Sequence, residues 1–140
     1  MVNLAPADVL KEGSHFDLPI ALGLLSSMGV LPAEELADFI VLGELSLDGN
    51  ILPVAGVLPA AMHASAEGKG LICPGACGAE AAWSGLDSIL APNSLLALIN
   101  HFKGTQVLST PECKSEIYAN SGTDMREIRG QYAARRALEV

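Results

Sequence analysis

Between Phe39 and Gly56 the chain reads FIVLGELSLDGNILPVAG. Apolar residues alternate through Phe39, Val41, Leu45 and Leu47, the period-two pattern of a strand with one buried face. Asp48-Gly49 follows, a pair in which both residues tolerate the positive φ of a two-residue hairpin turn. Ile51, Leu52 and Val54 make the return arm. Pro53 has no N–H for a ladder, so that arm is short or exposes its donor side there. Gly56 ends it, and a helical pattern opens at once. The sequence therefore predicts a buried hairpin that feeds straight into a helix at the centre of the domain.

On either side of the hairpin the period is mostly helical. Val2-Asn3-Leu4-Ala5 is a short extended segment ended by Pro6, entered with no turn or cap before it, as though a strand began earlier. Residues 10–17, LKEGSHFD, are a polar connection. Phe16, Ile20 and Leu24, with Ala21, Leu25 and Met28, mark a 3.6-residue stripe. Ser14 with Asp17 resembles a capping box, or Asp17 is itself the N-cap. Pro19 favours the second choice, because it then falls in the first turn, where its missing donor costs nothing. Gly29 closes this helix.

Residues 32–38 read as a short helical turn. A second helix is expected from Val57 to Glu67, with Pro59 in its first turn and Gly68 at its end. Residues 70–74 are a brief buried strand, 78–83 a short helix ending near Trp83, and 88–91 another strand. Asn93 is the expected cap of a helix through His101. Helices alternating with strands around one antiparallel hairpin predict an α/β (α+β) fold, a mixed sheet with a central hairpin covered by helices. Residues 104–123 are polar and without period, and read as a linker. Thr123 or Asp124 then caps a last helix, MREIRGQYAARRALEV. The expected organisation is a domain over 2–103, a linker over 104–123, and the start of a further, truncated module over 124–140.

Composition narrows the class. Half of the 140 residues are hydrophobic and only 4% are aromatic, which describes a globular domain packed with Ala and Leu. A chain of this length buries roughly two-thirds of its unfolded surface. Its apolar runs stop short of the ~20 residues of a membrane span, and no basic, apolar leader opens it. A cytoplasmic protein without a membrane partner is expected. The net charge of −8 argues against a broad phosphate-binding surface. The charge is uneven, however: Arg126, Arg129, Arg135 and Arg136 make the last segment basic. Cys73, Cys77 and Cys113 are an odd count, and Cys73-Pro-Gly-Ala-Cys77 has no second pair to complete a metal site, so small buried thiols are expected.

No motif with its own mechanism is complete. The chain has no GxxxxGK[ST] loop, no HExxH, no Cys-x-x-Cys and no GxSxG elbow. His15, His63 and His101 are far apart in sequence, each near a helix start or on a helix. Ser14 follows Lys11, but a nucleophilic serine needs a base in hydrogen-bond reach and an oxyanion donor set, and adjacency secures neither.

NLAPAD, then KEGSHFDLPIALGLL, then LGELSLDGNILPVAGVLPAA, then a strand ending in Pro and a run of AEAA, stand in an order that resembles the N-terminal domain of the ComM/YifB family. These are magnesium-chelatase-like AAA+ ATPases. The resemblance covers residues 2–103, and DMREIRGQYAARRALEV is similar to that family's lead-in to its ATPase module. It implies an ATPase module after Val140, with ATP and Mg2+ as its cofactors, and further strands before Val2. It also implies a homo-oligomeric ring acting on DNA in recombination during natural transformation.

The same domain is similar to the proteolytic domain of Lon and to the C-terminal domain of RadA. Lon-type proteases use a Ser-Lys dyad, the Ser before a helix in a Lys-Asp-Gly-Pro-Ser-Ala-Gly run and the Lys just after the hairpin in Gly-Gly-Leu-Lys-Glu-Lys. Here the first run is Lys11-Glu12-Gly13-Ser14-His15-Phe16-Asp17, with His15 at the nucleophile position and Ser14 one residue early. The second is Ala55-Gly56-Val57-Leu58-Pro59-Ala60, with no basic residue. The resemblance thus implies a non-proteolytic accessory domain, with no catalytic, cofactor-binding or metal residue assigned in this stretch. Three alternatives stand beside it: a fragment of a magnesium chelatase subunit, a protein-interaction domain with no DNA role, and a serine peptidase using Ser14 with an unorthodox base. True chelatase motor subunits do not carry the Lon-like domain in front.

Overall fold

The computed structural model describes residues 16–113, together with Gly130 and Arg136. The extended segment at 2–5, the run from Lys11 to His15 with Ser14, and most of 114–140 lie outside the described residues. Gly130 has a φ of 80° and sits at a bend; the rest of the helix expected over 124–140, Arg136 apart, lies outside the described residues.

In chain order the elements are α1 (Asp17–Ser27), α2 (Ala33–Ala37), β1 (Phe39–Val41), β2 (Glu44–Leu45), β3 (Ile51–Leu52), α3 (Val57–Ala66), β4 (Gly70–Ile72), α4 (Gly78–Ala82), β5 (Ile89–Leu90) and α5 (Leu95–Phe102), with a 3-10 turn at Gly75–Cys77 before α4. β1, β4 and β5 form a parallel sheet in the order β1-β4-β5, with Ile40 opposite Leu71 and Leu71 opposite Ile89. β4 is buried along its whole length, as a strand covered on both faces must be. Its successive residues serve opposite layers. Leu71 packs with Val57, Ala61 and Ala64 of α3 and with Ala81 of α4. Ile72 packs with Leu18 and Leu22 of α1 and Leu98 of α5. The α/β class read from the sequence is thus present.

The hairpin departs from its expected place. Phe39 to Leu47 is not one strand, because the chain leaves the sheet at Leu42-Gly43. The Leu42 N–H still donates to the Ile72 carbonyl at 3.1 Å, but the Gly43 carbonyl accepts from the Leu18 N–H at 3.0 Å. A Cβ on Gly43 would stand 2.9 Å from Leu18 Cδ2, so only glycine lets α1 approach here. β2 and β3 then pair as a separate two-stranded antiparallel sheet, with Leu45 opposite Ile51. The β3 side docks on the loop before α5, where the Ile51 N–H donates to the Asn93 carbonyl at 3.0 Å.

The hairpin loop has three residues, Leu47-Asp48-Gly49, rather than two. Ser46 and Asn50 close it through the Ser46 N–H to the Asn50 carbonyl, and the Gly49 N–H returns to the Ser46 carbonyl, both at 2.9 Å. Gly49, at φ 79°, supplies the left-handed residue that such a loop needs. Leu47 consequently stands at the tip and is fully exposed, not on a buried face.

Three further expectations shift. Asp17 is the first residue of α1, not its cap; Phe16 holds the N-cap position. Ser94, not Asn93, caps α5, its Oγ accepting from the Ala97 N–H at 3.2 Å. The buried stripe of α1 is Leu18 and Leu22 with Leu25 beside them, while Phe16, Leu24 and Met28 are exposed. That helix is apolar nearly all round, and a period alone cannot choose between its faces.

Residues 104–113 pack back onto the fold. The Thr105 N–H donates to the Asn100 carbonyl at 2.9 Å, the Leu108 N–H donates to His101 Nδ1 at 3.2 Å, and Leu108 joins the α1/α5 layer. Pro111 covers Gly78, where a Cβ would meet its ring at 2.9 Å. Among the described residues no helix is long and apolar enough to cross a membrane.

Candidate functional site

In open α/β sheets, ligands and reacting groups gather at the carboxyl ends of the strands. Here those ends are Val41-Leu42, Ile72-Cys73 and Leu90-Ala91. The heads of α1 and α3 come to the same end: α1 through the Leu18 to Gly43 hydrogen bond, and α3 because it follows the hairpin and runs back to start β4. These are the two helix starts that the Lon resemblance singles out.

The head of α1 is preceded by Ser14 and His15, outside the described residues. The head of α3 is fully on view. Gly56 precedes it in left-handed conformation, and Val57 is buried. α3 has no side-chain cap of its own. The Leu58 N–H donates instead to Glu80 Oε1 of α4, at 3.3 Å. A carboxylate at a helix start satisfies an otherwise orphaned donor and meets the positive end of the helix dipole. Composition and period did not single out Glu80. Its one signal is isolation, since it is the only charged residue between Lys69 and Asp87.

Two thiols lie beside this contact. Cys77 Sγ donates to the Val54 carbonyl at 3.7 Å, and Cys73 and Cys77 are both buried and free, whereas Cys113 is exposed. Burial, with smaller contributions from Cys77 and Glu80, pushes the Cys73 thiol up to about 12. A thiol held protonated at neutral pH is a poor nucleophile. Among the described residues no three His, Cys, Asp or Glu side chains gather to hold a metal ion.

The remaining candidates are dispersed. His63 is in the last turn of α3 and exposed; His101 is on α5 and accepts from Leu108. The described lysines, Lys69 and Lys103, follow the ends of α3 and α5, away from the heads of those helices. Lys69 lines a shallow depression of about 650 Å³ with Asp38, Ser65, Asp87 and Ser88. It lies at the amino ends of the strands, opposite the usual ligand side of such a sheet.

The family model for subunit ChlI of Mg-chelatase matches residues 1–76. The competence protein ComM of Haemophilus influenzae is 36% identical over 144 residues, covering 99% of this chain and 28% of ComM. The YifB protein of Escherichia coli is 31% identical over 139 residues, with 99% and 28% covered. A Mycobacterium tuberculosis protein, Rv2897c, is 34% identical over 139 residues, with 98% and 27% covered. The chain therefore spans little more than a quarter of the length of these relatives. On the match of the ChlI model to more than half of its residues, and on likeness to ComM and YifB along almost its whole length, the chain belongs to the magnesium-chelatase-like ComM/YifB family.

Proposed function

We propose that this chain is a non-proteolytic accessory domain, serving assembly or regulation, of a magnesium-chelatase-like AAA+ ATPase that acts on DNA in recombination during natural transformation. The observation that carries the reading is the head of α3. In a Lon-type dyad a lysine there takes the proton of the serine hydroxyl. Here the run from Ala55 to Ala60 offers only hydrocarbon, and the Leu58 N–H is held by the Glu80 carboxylate. A leucine or alanine side chain cannot accept a proton at any pH. Lys69 and Lys103 stand at the far ends of their helices and supply no substitute.

ATP and Mg2+ belong, in this reading, to the motor of the parent protein. The chain contains no GxxxxGK[ST] loop, and the helix start that could greet a phosphate already holds a carboxylate. The reading accordingly assigns no nucleotide to the head of α3. The net charge of −8 supports a reading in which other parts of the parent contact DNA. We propose a cytoplasmic, ring-forming parent, with the domain's own motor and its neighbouring copies as partners.

Branch migration by the full protein, with and without this domain, tests the reading. Removal is expected to leave ATP hydrolysis by the motor and to lower ring assembly or strand exchange on DNA. Peptide cleavage by the purified chain, or unaltered assembly and exchange without it, overturns the proposal. A second reading, a subunit of magnesium chelatase itself, is favoured by the name of the matching family model. Metal insertion into a porphyrin by the full protein separates the two.

A further inference from the structure

His101 stands in the last turn of α5, and its Nδ1 accepts the Leu108 N–H at 3.2 Å. A ring nitrogen accepts only while it carries no proton, so this bond belongs to the neutral imidazole with its hydrogen on Nε2. Residues 104–106 have an anchor of their own, because the Thr105 and Gln106 N–H groups both donate to the Asn100 carbonyl, at 2.9 and 3.2 Å. From Val107 to Cys113 the imidazole is the sole hydrogen-bond partner that this stretch finds among the described residues. Past that bond, Pro111 covers Gly78, the first residue of α4.

The surroundings of the ring are short of charge. α5 carries no ionisable side chain except His101, residues 104–111 carry none, and α1 carries none after Asp17. Along the chain the nearest charges are Lys103 and Glu112. On the other elements of the α1/α5 layer they are Asp17, Glu34, Glu35, Asp38 and Glu44. None of these forms an ion pair with His101. The hold on residues 107–113 therefore depends on the protonation of one ring.

We propose that His101 is a proton-operated clasp: neutral, it fastens residues 107–113 to α5; protonated, it releases them. Imidazole is the side chain whose ordinary titration lies between pH 5 and 8. A second proton turns Nδ1 from acceptor to donor, pointing at the Leu108 N–H, and the bond is lost. The imidazolium is at the same time favoured by the carbonyl end of α5, where His101 stands. The fastened state thus binds fewer protons than the released one, and acid shifts the balance towards release. With it Pro111 leaves Gly78, and the chain beyond Cys113 is no longer led past the start of α4. This goes beyond the accessory role proposed above and does not depend on it.

Amide hydrogen exchange of the full chain from pH 8 to pH 5.5, corrected for the intrinsic pH dependence of exchange, reads the clasp at Leu108. Protection there is expected to fall about five- to thirtyfold, in step with the titration of the His101 ring followed by nitrogen NMR. The Thr105 amide, held by the Asn100 carbonyl, and the Leu71 amide, held by the Ser88 carbonyl, are expected to keep theirs. His101→Asn presents an acceptor that does not titrate and is expected to abolish the fall. His101→Phe is expected to leave Leu108 at the low value at every pH. Constant protection at Leu108 in the wild type overturns the proposal. The same fall in either variant, or a loss at Leu71 in step with Leu108, overturns it too, because another group or the whole fold is then titrating.

Discussion

The Leu58 N–H and the Glu80 carboxylate meet at 3.3 Å, tying the head of α3 to α4. α3 has no capping side chain of its own. Glu80 is exposed, so water and salt screen much of its charge. Glu80→Gln keeps an acceptor and removes the charge; it is expected to lower stability by only about 0.5 kcal/mol. Glu80→Ala removes both and is expected to cost on the order of 1 kcal/mol. Urea denaturation of the two variants measures the difference, and equal losses would mean that charge alone is at work.

Cys73 makes stability sensitive to alkali. Its folded thiol is pushed up to about 12, from an ordinary value of 9.0 in the open chain. Below pH 9 both states hold the proton and the contribution is fully present. Above it the unfolded chain gives up its proton first, so stability falls as pH rises from 9 towards 12. Cys73→Ala is expected to flatten that part of the profile, although the variant starts lower at neutral pH through lost packing. Thiol labelling gives a parallel check: Cys113 is exposed and reacts first, while Cys73 and Cys77 wait for unfolding.

The two faces of α1 are told apart by a pair of substitutions. Leu22 is fully buried between α5 and the sheet, whereas Leu24 is 55% exposed. Leu22→Ala is expected to cost about 2–5 kcal/mol, the range for an emptied leucine site in a core. Leu24→Ser is expected to stay within about 0.5 kcal/mol. Thermal unfolding of both variants decides it, and the reverse order would restore the stripe at Phe16, Ile20 and Leu24.

That helix shows where the amino-acid sequence is readable and where it is not. Punctuation was legible. Gly29 and Gly68 end α1 and α3 in left-handed conformation, and Pro59 falls in the first turn of α3 as its missing N–H requires. β4 was legible because an unbroken apolar run between Gly70 and Pro74 has no other economical use. Orientation was not legible where both sides of an element are apolar, as on α1. Nor was the break at Gly43, since the reason for that glycine is the close approach of Leu18, a contact distant in sequence. Glu80 was hidden for the same reason: its partner Leu58 lies 22 positions away. A three-residue hairpin loop and a two-residue one also share the same Asp-Gly signal.

His101 gives the most local test of how residues 104–113 are held. The Leu108 N–H donates to its Nδ1 at 3.2 Å, and its ring meets Phe102 edge-on with centroids 5.7 Å apart. Leu108 is half-buried against the α1/α5 layer, so its amide has little recourse to water if that acceptor is removed. His101→Phe keeps a ring and deletes the acceptor. The expected result is a loss of about 1 kcal/mol and faster hydrogen exchange at the Leu108 amide. Exchange at the Thr105 amide, which bonds to the Asn100 carbonyl, is expected to change far less. His101→Asn presents a carbonyl oxygen from a shorter side chain and is expected to recover part of the protection at Leu108. Unchanged exchange at Leu108 in both variants would show that the burial of its side chain, and not the imidazole, secures this stretch to α5.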